Sequence, residues 1–275
     1  MGVKTGFDDS FIINKDTFDI LSKDDLSKKI IKPFLRGRDI KRFGFNFNNL
    51  YLLFIPWHFP LHDDPNITGA SILAEQNFKD KYPNIYNHLL KYKTNLLARN
   101  QAETGISYEW YCLQRAASTF IEDYYKEKII WGLISGDWNF AFDNEGTFIS
   151  SASYFLVSDK ISNKLILGLL NSKLYRYHYN FIGEKTAGGA FVFKKTTIEK
   201  FLIPNDIQKD LSIIPLVDKI LVLKKENNSI DTSDLENQID QLVYKLYDLS
   251  EEEIKIIENG FIHSNIIVYQ PKPTV

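Results

Sequence analysis

IIKPFLRGRDIKRF, residues Ile30–Phe43, is the stretch on which the reading of this sequence turns. Its first part is apolar and interrupted by Pro33; its second crowds Arg36, Arg38, Lys41 and Arg42 around Gly37. From Lys28 to Arg42 there are seven basic side chains (Lys28, Lys29, Lys32, Arg36, Arg38, Lys41, Arg42) and one acid, Asp39. A basic run around a glycine turn suits a phosphate-facing patch. The same run also fits a solvated helix end followed by a charged turn, since surface charge runs are common.

Working outward, Ser22–Ile31 reads as a helix with Ser22 as its N-cap and Pro33 enforcing the stop. The preceding GVKTGFDDSFII alternates around glycines and reads as strand, turn and strand. Downstream, NLYLLFIPW (Asn49–Trp57) predicts a buried strand, and residues 71–98 predict helices interrupted at Pro83. KIIWGLI (Lys128–Ile134) is a strand, and FAFDNEGTFISSASYFLVS reads as paired strands around the Asp143–Gly146 turn. Ser162–Tyr179 has helical length, although LYRYHYNF at its end alternates with period two. After the Gly183–Gly189 loop, AFVF and FLIP read as strand edges.

Past residue 205 the texture changes. Ile213–Lys225 and Leu235–Tyr247 predict amphipathic helices, and a short acidic helix follows from Ser250. Residues 1–205 carry 26 basic and 22 acidic side chains, whereas residues 206–275 carry 7 and 13. The formal charge of -2 over 275 residues therefore hides a modestly basic region and an acidic one. The expected class is α+β: a mixed-sheet domain over 1–205, a helical, acidic appendage over 206–258 and a tail over 259–275.

Composition excludes several classes. Charged residues make up 25% and hydrophobic ones 44%, which is ordinary globular usage and not that of a polycationic binder. The single cysteine, Cys112, leaves no disulfide framework and no multi-cysteine metal site. No apolar run reaches the ~18 residues of a membrane span, and the start lacks signal-peptide architecture, so a chain of a reducing, cytoplasmic compartment is expected.

Enzyme motifs are sparse. None of the 14 glycines forms a GxG, which removes the dinucleotide fingerprint and the S-adenosylmethionine loop. No two prolines are adjacent, so the Asp/Asn-Pro-Pro-aromatic tetrapeptide of amino-group DNA methyltransferases is missing. His58 and His62, with Asp63 and Asp64, have a metal-like spacing, but Pro60 between them denies the shared helical face and reads them as loop. Asp39-Ile40-Lys41 and Glu253-Ile254-Lys255 are the candidates for a magnesium nuclease; the second fits an amphipathic helix better. No metal site is expected, and Cys112, Trp110, Trp131, Phe155 and Leu169 are read as core.

Several segments together resemble one family. GVKTGFDDSFII and IIKPFLRGRDIKRF look like the opening of the TaqI-like C-terminal specificity domain, which follows the methyltransferase in type IIG restriction–modification enzymes and related adenine-specific DNA methyltransferases. The likeness continues in order through WYCLQR (Trp110–Arg115), KIIW (Lys128–Trp131), SYFLVS (Ser153–Ser158), LGLLNSKLY (Leu167–Tyr175), TTIEKFLIP (Thr196–Pro204) and DQLVYKLYDLSEEEIKIIE (Asp240–Glu258). Residues 45–105 match poorly, as expected where such domains vary with their target.

The resemblance implies a non-catalytic specificity module that reads duplex DNA for a preceding adenine methyltransferase, with or without a nuclease, in a bacterial cytoplasm. S-adenosylmethionine and magnesium would then belong to upstream domains, and none to this chain, with Met1-Gly2 lying inside a longer polypeptide. Arg36, Arg38, Lys41 and Arg42 are expected at phosphates or a guanine edge. Lys4 and Thr5 in the first glycine turn are expected at phosphates. Lys185, Thr186, Lys194 and Lys195 are expected to donate to a duplex approached by the glycine loop. Gln114 and Arg115 have the side chains for adenine or guanine edges, and fit equally as partly buried polar residues. Two other readings remain at this point: a free-standing magnesium-dependent nuclease using Asp39, and a docking module acting through residues 206–258.

Overall fold

The computed structural model describes residues 2–116, 118–204, 207 and 211–266. Two compact units emerge, interleaved along the sequence. The first comprises the chain up to Asp39, Asn46–Gly132 and Asp143–Val157; the second comprises Ile40–Phe45, Leu133–Phe142 and the chain from Ser158 onward. The composition shift at residue 205 thus falls inside the second unit, where the helices on both sides of it pack together.

In the first unit Ile31–Leu35 is the pivot. It pairs antiparallel with Tyr51–Leu53 (Ile31 opposite Leu53, Pro33 opposite Tyr51) and parallel with Phe148–Ile149 (Phe34 opposite Phe148). Ile12–Ile13 adds on the far side of Tyr51–Leu53, giving a mixed four-stranded sheet. A second pairing joins Lys128–Gly132 antiparallel to Ser153–Leu156. Pro33 therefore lies in a strand whose ladder continues around it, with the Phe34 amide donating to the Leu50 carbonyl at 2.9 Å. The helix before it is Asp25–Ile30, capped by Asp24 and not by Ser22; Ser22 instead closes an earlier helix, Lys15–Leu21. Asp24 wins because its carboxylate accepts the Ser27 amide at 2.8 Å, a bond to an orphan donor of the first turn.

The opening segment departs from strand–turn–strand. Val3 and Lys4 form only isolated bridges, and a helical turn, Asp8–Phe11, intervenes before the strand. Asp8 and Asp9 in that first turn favour the helical alternative. Helices at Ile72–Lys81, Pro83–Leu90 and Lys93–Leu97 match the expectation for residues 71–98, with Ser71 as N-cap and Pro83 at the first helical position, where its missing amide costs nothing. The core of this unit is aromatic: Phe78 of the first of these helices stacks on Tyr111 at 4.5 Å, and Tyr124 stacks on Phe148 of the sheet at 4.2 Å.

The anticipated hairpin around Asp143–Gly146 does not form. Phe148–Ile149 pairs with Ile31–Leu35, more than a hundred residues away, while Asp143 turns the chain through its own carboxylate, accepting the Glu145 amide at 2.8 Å and the Thr147 amide at 3.1 Å. That carboxylate is fully buried and faces the equally buried Lys128 at 2.7 Å.

In the second unit, Asn163–Leu170 and Lys173–Ile182 replace the single helix expected from Ser162 to Tyr179. Ser172 caps the second by accepting the Tyr175 amide, so LYRYHYNF is helical and its period-two alternation carries no strand. Ile213–Glu226, Ser233–Leu246 and Glu251–Ile266 complete the helical side, the last longer than the short helix anticipated. Ile134–Ser135 pairs with Phe191–Val192; FLIP, residues 201–204, forms no strand because the chain there is held by side chains, Tyr175 and Tyr247 both donating to the Leu202 carbonyl. The 40–45 stretch laces onto 140–142, the Phe43 amide donating to the Phe140 carbonyl at 2.8 Å. Among the described residues no helix is long and apolar enough to cross a membrane. Of the tail expected over 259–275, residues 267–275 lie outside the described residues.

Candidate nucleic-acid interface

Twelve residues were singled out above, six in each unit. In the first unit, Lys4, Gln114 and Arg115 converge on one carboxylate, Glu103. Lys4 Nζ donates to it at 2.6 and 2.7 Å, Gln114 Nε2 at 3.1 Å and Arg115 Nη2 at 3.3 Å. The Lys4 ammonium, then Arg115 and Gln114, hold the Glu103 carboxyl below its ordinary range. Main-chain bonds between Lys4 and Arg115, at 3.0 and 2.9 Å, keep the two segments in register. Gly6 has φ +76, and a Cβ on it would stand 2.6 Å from Gln114 Oε1, so glycine is required where the first turn passes Gln114. Thr5 and Gln114 are each 4% exposed, Thr5 donating through Oγ1 to Asp8, whereas Lys4 and Arg115 reach solvent.

Beneath this cluster lies a residue that sequence reasoning missed. Arg99, buried, donates to the carbonyls of Leu96, Thr5, Cys112 and Trp110 at 2.6–3.0 Å. It ties Thr5 to the 110–115 segment that carries Gln114 and Arg115. Following a helix, Arg99 reads locally as a cation near a C-terminus, and Glu103 as a loop acid; no local pattern marks either. Cys112 is core as expected, its thiol pushed well up by burial and then by Glu109. His58 rests its Nδ1 on Glu109 at 3.2 Å, and His62 stacks on Phe59.

The basic turn divides between the units: Arg36 and Arg38 belong to the first, Lys41 and Arg42 to the second. Asp39 shapes the turn, its carboxylate accepting the Arg36 amide at 2.8 Å and Asn48 Nδ2 at 2.9 Å. Arg36 is half-buried and forms no side-chain hydrogen bond or ion pair among the described residues, and Arg38 is exposed. Lys41 is half-buried, and Arg42 pairs with Glu236. Because Asp39 is 4% exposed and committed to the turn, a nuclease built on it is not favoured. Among the described residues no group of three His, Cys, Asp or Glu side chains is placed to hold a metal ion.

The glycine loop of the second unit presents the remaining four. Thr186 organises its tip: its amide donates to the Ala190 carbonyl at 2.8 Å, and its Oγ1 accepts the Ala190 amide at 3.1 Å. Gly189, at φ +83, has nothing within 4 Å of a would-be Cβ, so the tip faces open space. Lys185 lies over the Phe191 ring and donates to Asn180; Lys194 pairs with Glu184 at 2.7 Å and Lys195 with Glu199 at 3.4 Å, all exposed.

The family model of the TaqI-like C-terminal specificity domain matches residues 32–203, well over half of the chain. The chain belongs to that family. This specificity domain is 26% identical over 246 residues to the type II methyltransferase M.MjaIV of Methanocaldococcus jannaschii, covering 88% of this chain and 76% of that protein. Its fold is similar to that of the type IIL restriction-modification enzyme MmeI, solved in complex with DNA, with a TM-score of 0.59 and 16% identity. That likeness covers 90% of this chain and 32% of MmeI, so the specificity domain spans about a third of the MmeI chain. The α+β class with a mixed sheet and C-terminal helices, expected from sequence, is the class observed.

Proposed function

We propose that this specificity domain is the DNA target-recognition module of a type II, IIG-like restriction–modification polypeptide, reading a short duplex sequence for an adenine methyltransferase in the same chain. The module is without catalysis of its own. S-adenosylmethionine serves the methyltransferase, and magnesium serves a nuclease where one is present; the polypeptide works in the cytoplasm. The observation that carries the reading is the family match, which spans both the basic turn and the glycine loop. The exposed lysines around Gly188 and Gly189, and Arg36 and Arg38 in the turn, supply the phosphate-facing donors such a module needs.

Salt-dependent binding tests it. The chain is titrated into a labelled mixed-sequence duplex over a range of salt, with the slope of log K against log[salt] as readout. A clearly negative slope is expected, and Arg36→Ala combined with Arg38→Ala flattens it by about two, one unit for each lost phosphate contact. A wild-type slope near zero would overturn the reading. A double variant that changed base preference alone would move Arg36 and Arg38 from phosphates to base edges.

A further inference from the structure

Within the second unit, Arg42, Asp137, Asn139, Lys173, Arg176 and Glu236 line a polar cleft of about 490 Å³. They arrive from four separate stretches: the 40–45 lacing, the 133–142 segment and the helices Lys173–Ile182 and Ser233–Leu246. Of these six, Arg42 alone is expected at DNA from the sequence.

The lysine of this set is already spoken for. Lys173 Nζ lies 2.9 Å from Glu258 and 3.7 Å from Asp240, and its amide donates to Asp240 at 2.8 Å. Asn171, deeper in the wall, exchanges hydrogen bonds with the Phe140 main chain. These contacts build the wall, to which Arg42 and Arg176 bring two guanidinium groups, that of Arg176 also lying over the Phe191 ring at 5.9 Å. Arg42 is gripped by the Glu236 carboxylate, with 28% and 18% of the two side chains exposed. Arg176 is half-buried; burial, and then the neighbouring charge of Arg42, push its pKa down against the opposing pull of Asp137. Two guanidinium groups that line one cleft partly shielded from water are stabilised by an anion shared between them. The Glu236 carboxylate marks where an anionic oxygen sits on Arg42, and guanidinium groups take phosphate oxygens in the same geometry.

We propose that this cleft is a phosphodiester site: Arg42 and Arg176 clamp one backbone phosphate of the duplex, and Glu236 holds Arg42 in position until the phosphate replaces it. The site rests on the reading of the chain as a DNA-binding module. It adds Arg176 and Glu236, which carry opposite charge and therefore affect binding in opposite directions.

The test uses the full chain and the same labelled duplex. Arg176→Gln is expected to lower affinity roughly tenfold, as for one lost charge-assisted contact, and to reduce the salt slope by about one. Arg176→Lys keeps the charge and retains most of the slope. Glu236→Gln is expected to raise affinity, a gain that a merely damaged fold does not produce. Inorganic phosphate distinguishes a free ion from the DNA backbone. If Arg176→Gln abolished thermal stabilisation by phosphate but left duplex binding at the wild-type level, the cleft would be a free-phosphate site and the DNA assignment would fall. Wild-type slope and affinity in Arg176→Gln, alongside the expected flattening by the Arg36 and Arg38 changes, would overturn the cleft and leave the target-recognition reading standing. Weaker binding by Glu236→Gln would overturn the displacement of Glu236. A wild-type chain without salt-dependent duplex binding would remove both.

Discussion

Lys128 and Lys194 are both lysines paired with a carboxylate at 2.7 Å, yet they belong to regions that behave as opposites. Lys128 and its partner are enclosed: its Nζ also donates to the Tyr124 carbonyl at 2.6 Å, and neither it nor Asp143 reaches solvent. Around Lys194 the partners are in water, 46% and 59% of the two side chains being exposed. The first pair holds a turn inside the core; the second, exposed to water, costs little to open. The two pairs match in distance and differ in the burial of both partners.

The largest expected effect breaks the enclosed pair. Lys128→Met leaves the Asp143 carboxylate buried without its counter-charge, although the Glu145 and Thr147 amides still donate to it. Removing one partner of such a pair costs about 3–5 kcal/mol. Urea unfolding of Lys128→Met should show a loss of that size; a loss below about 1 kcal/mol would mean that the turn is held by its amides alone.

The same contrast explains what could be read from the sequence. Helices at 72–97 were legible because Ser71, Pro83 and the apolar spacing act within a few residues. The family resemblance, carried by blocks such as IIKPFLRGRDIKRF and LGLLNSKLY, was legible too. The Asp143–Gly146 hairpin misled because the competing partner of Phe148 is Phe34, whose position along the sequence gives no signal. At the candidate site, residue type was legible but commitment was not. Gln114 and Arg115 could be named as base readers, but their tether to Glu103, and the Arg99 beneath them, depend on chain segments that only the fold brings together. Lys41 and Arg42 were read as one patch with Arg36 and Arg38, and the division into units after Asp39 has no marker in that charged run.

A second, smaller effect sharpens the comparison through pH. Asp240 is 2% exposed, and burial raises its pKa from 3.8 to about 6 against the opposing pull of the Lys173 amide, the Lys173 ammonium and Arg42; Glu258 pushes it further up. Between those two values the folded chain binds a proton that the unfolded chain has lost. The contribution of Asp240 is therefore present at low pH and fades as pH rises through about 6, a swing of up to roughly 3 kcal/mol at 1.36 kcal/mol per unit. Asp240→Asn removes this swing, so the difference in unfolding free energy between wild type and variant should change across pH 4–7, with the wild type losing ground as pH rises. A difference that stayed constant over that window would show that Asp240 is as acidic folded as unfolded.

The smallest effect on stability lies at the glycine loop. Lys194→Ala with Lys195→Ala removes two exposed pairs, to Glu184 and Glu199. Such pairs are worth at most about 1 kcal/mol and often nothing measurable, so the unfolding midpoint should barely move. Binding should respond differently. If the loop faces phosphates, losing both ammonium groups flattens the salt slope by up to about two while stability is kept. The double variant thus reverses the signature of Lys128→Met, which costs stability through a cation too enclosed to meet DNA. An unchanged salt slope in the lysine pair would restrict the phosphate contacts to the basic turn and the cleft, and would make Glu184 and Glu199 the lasting partners of these two lysines.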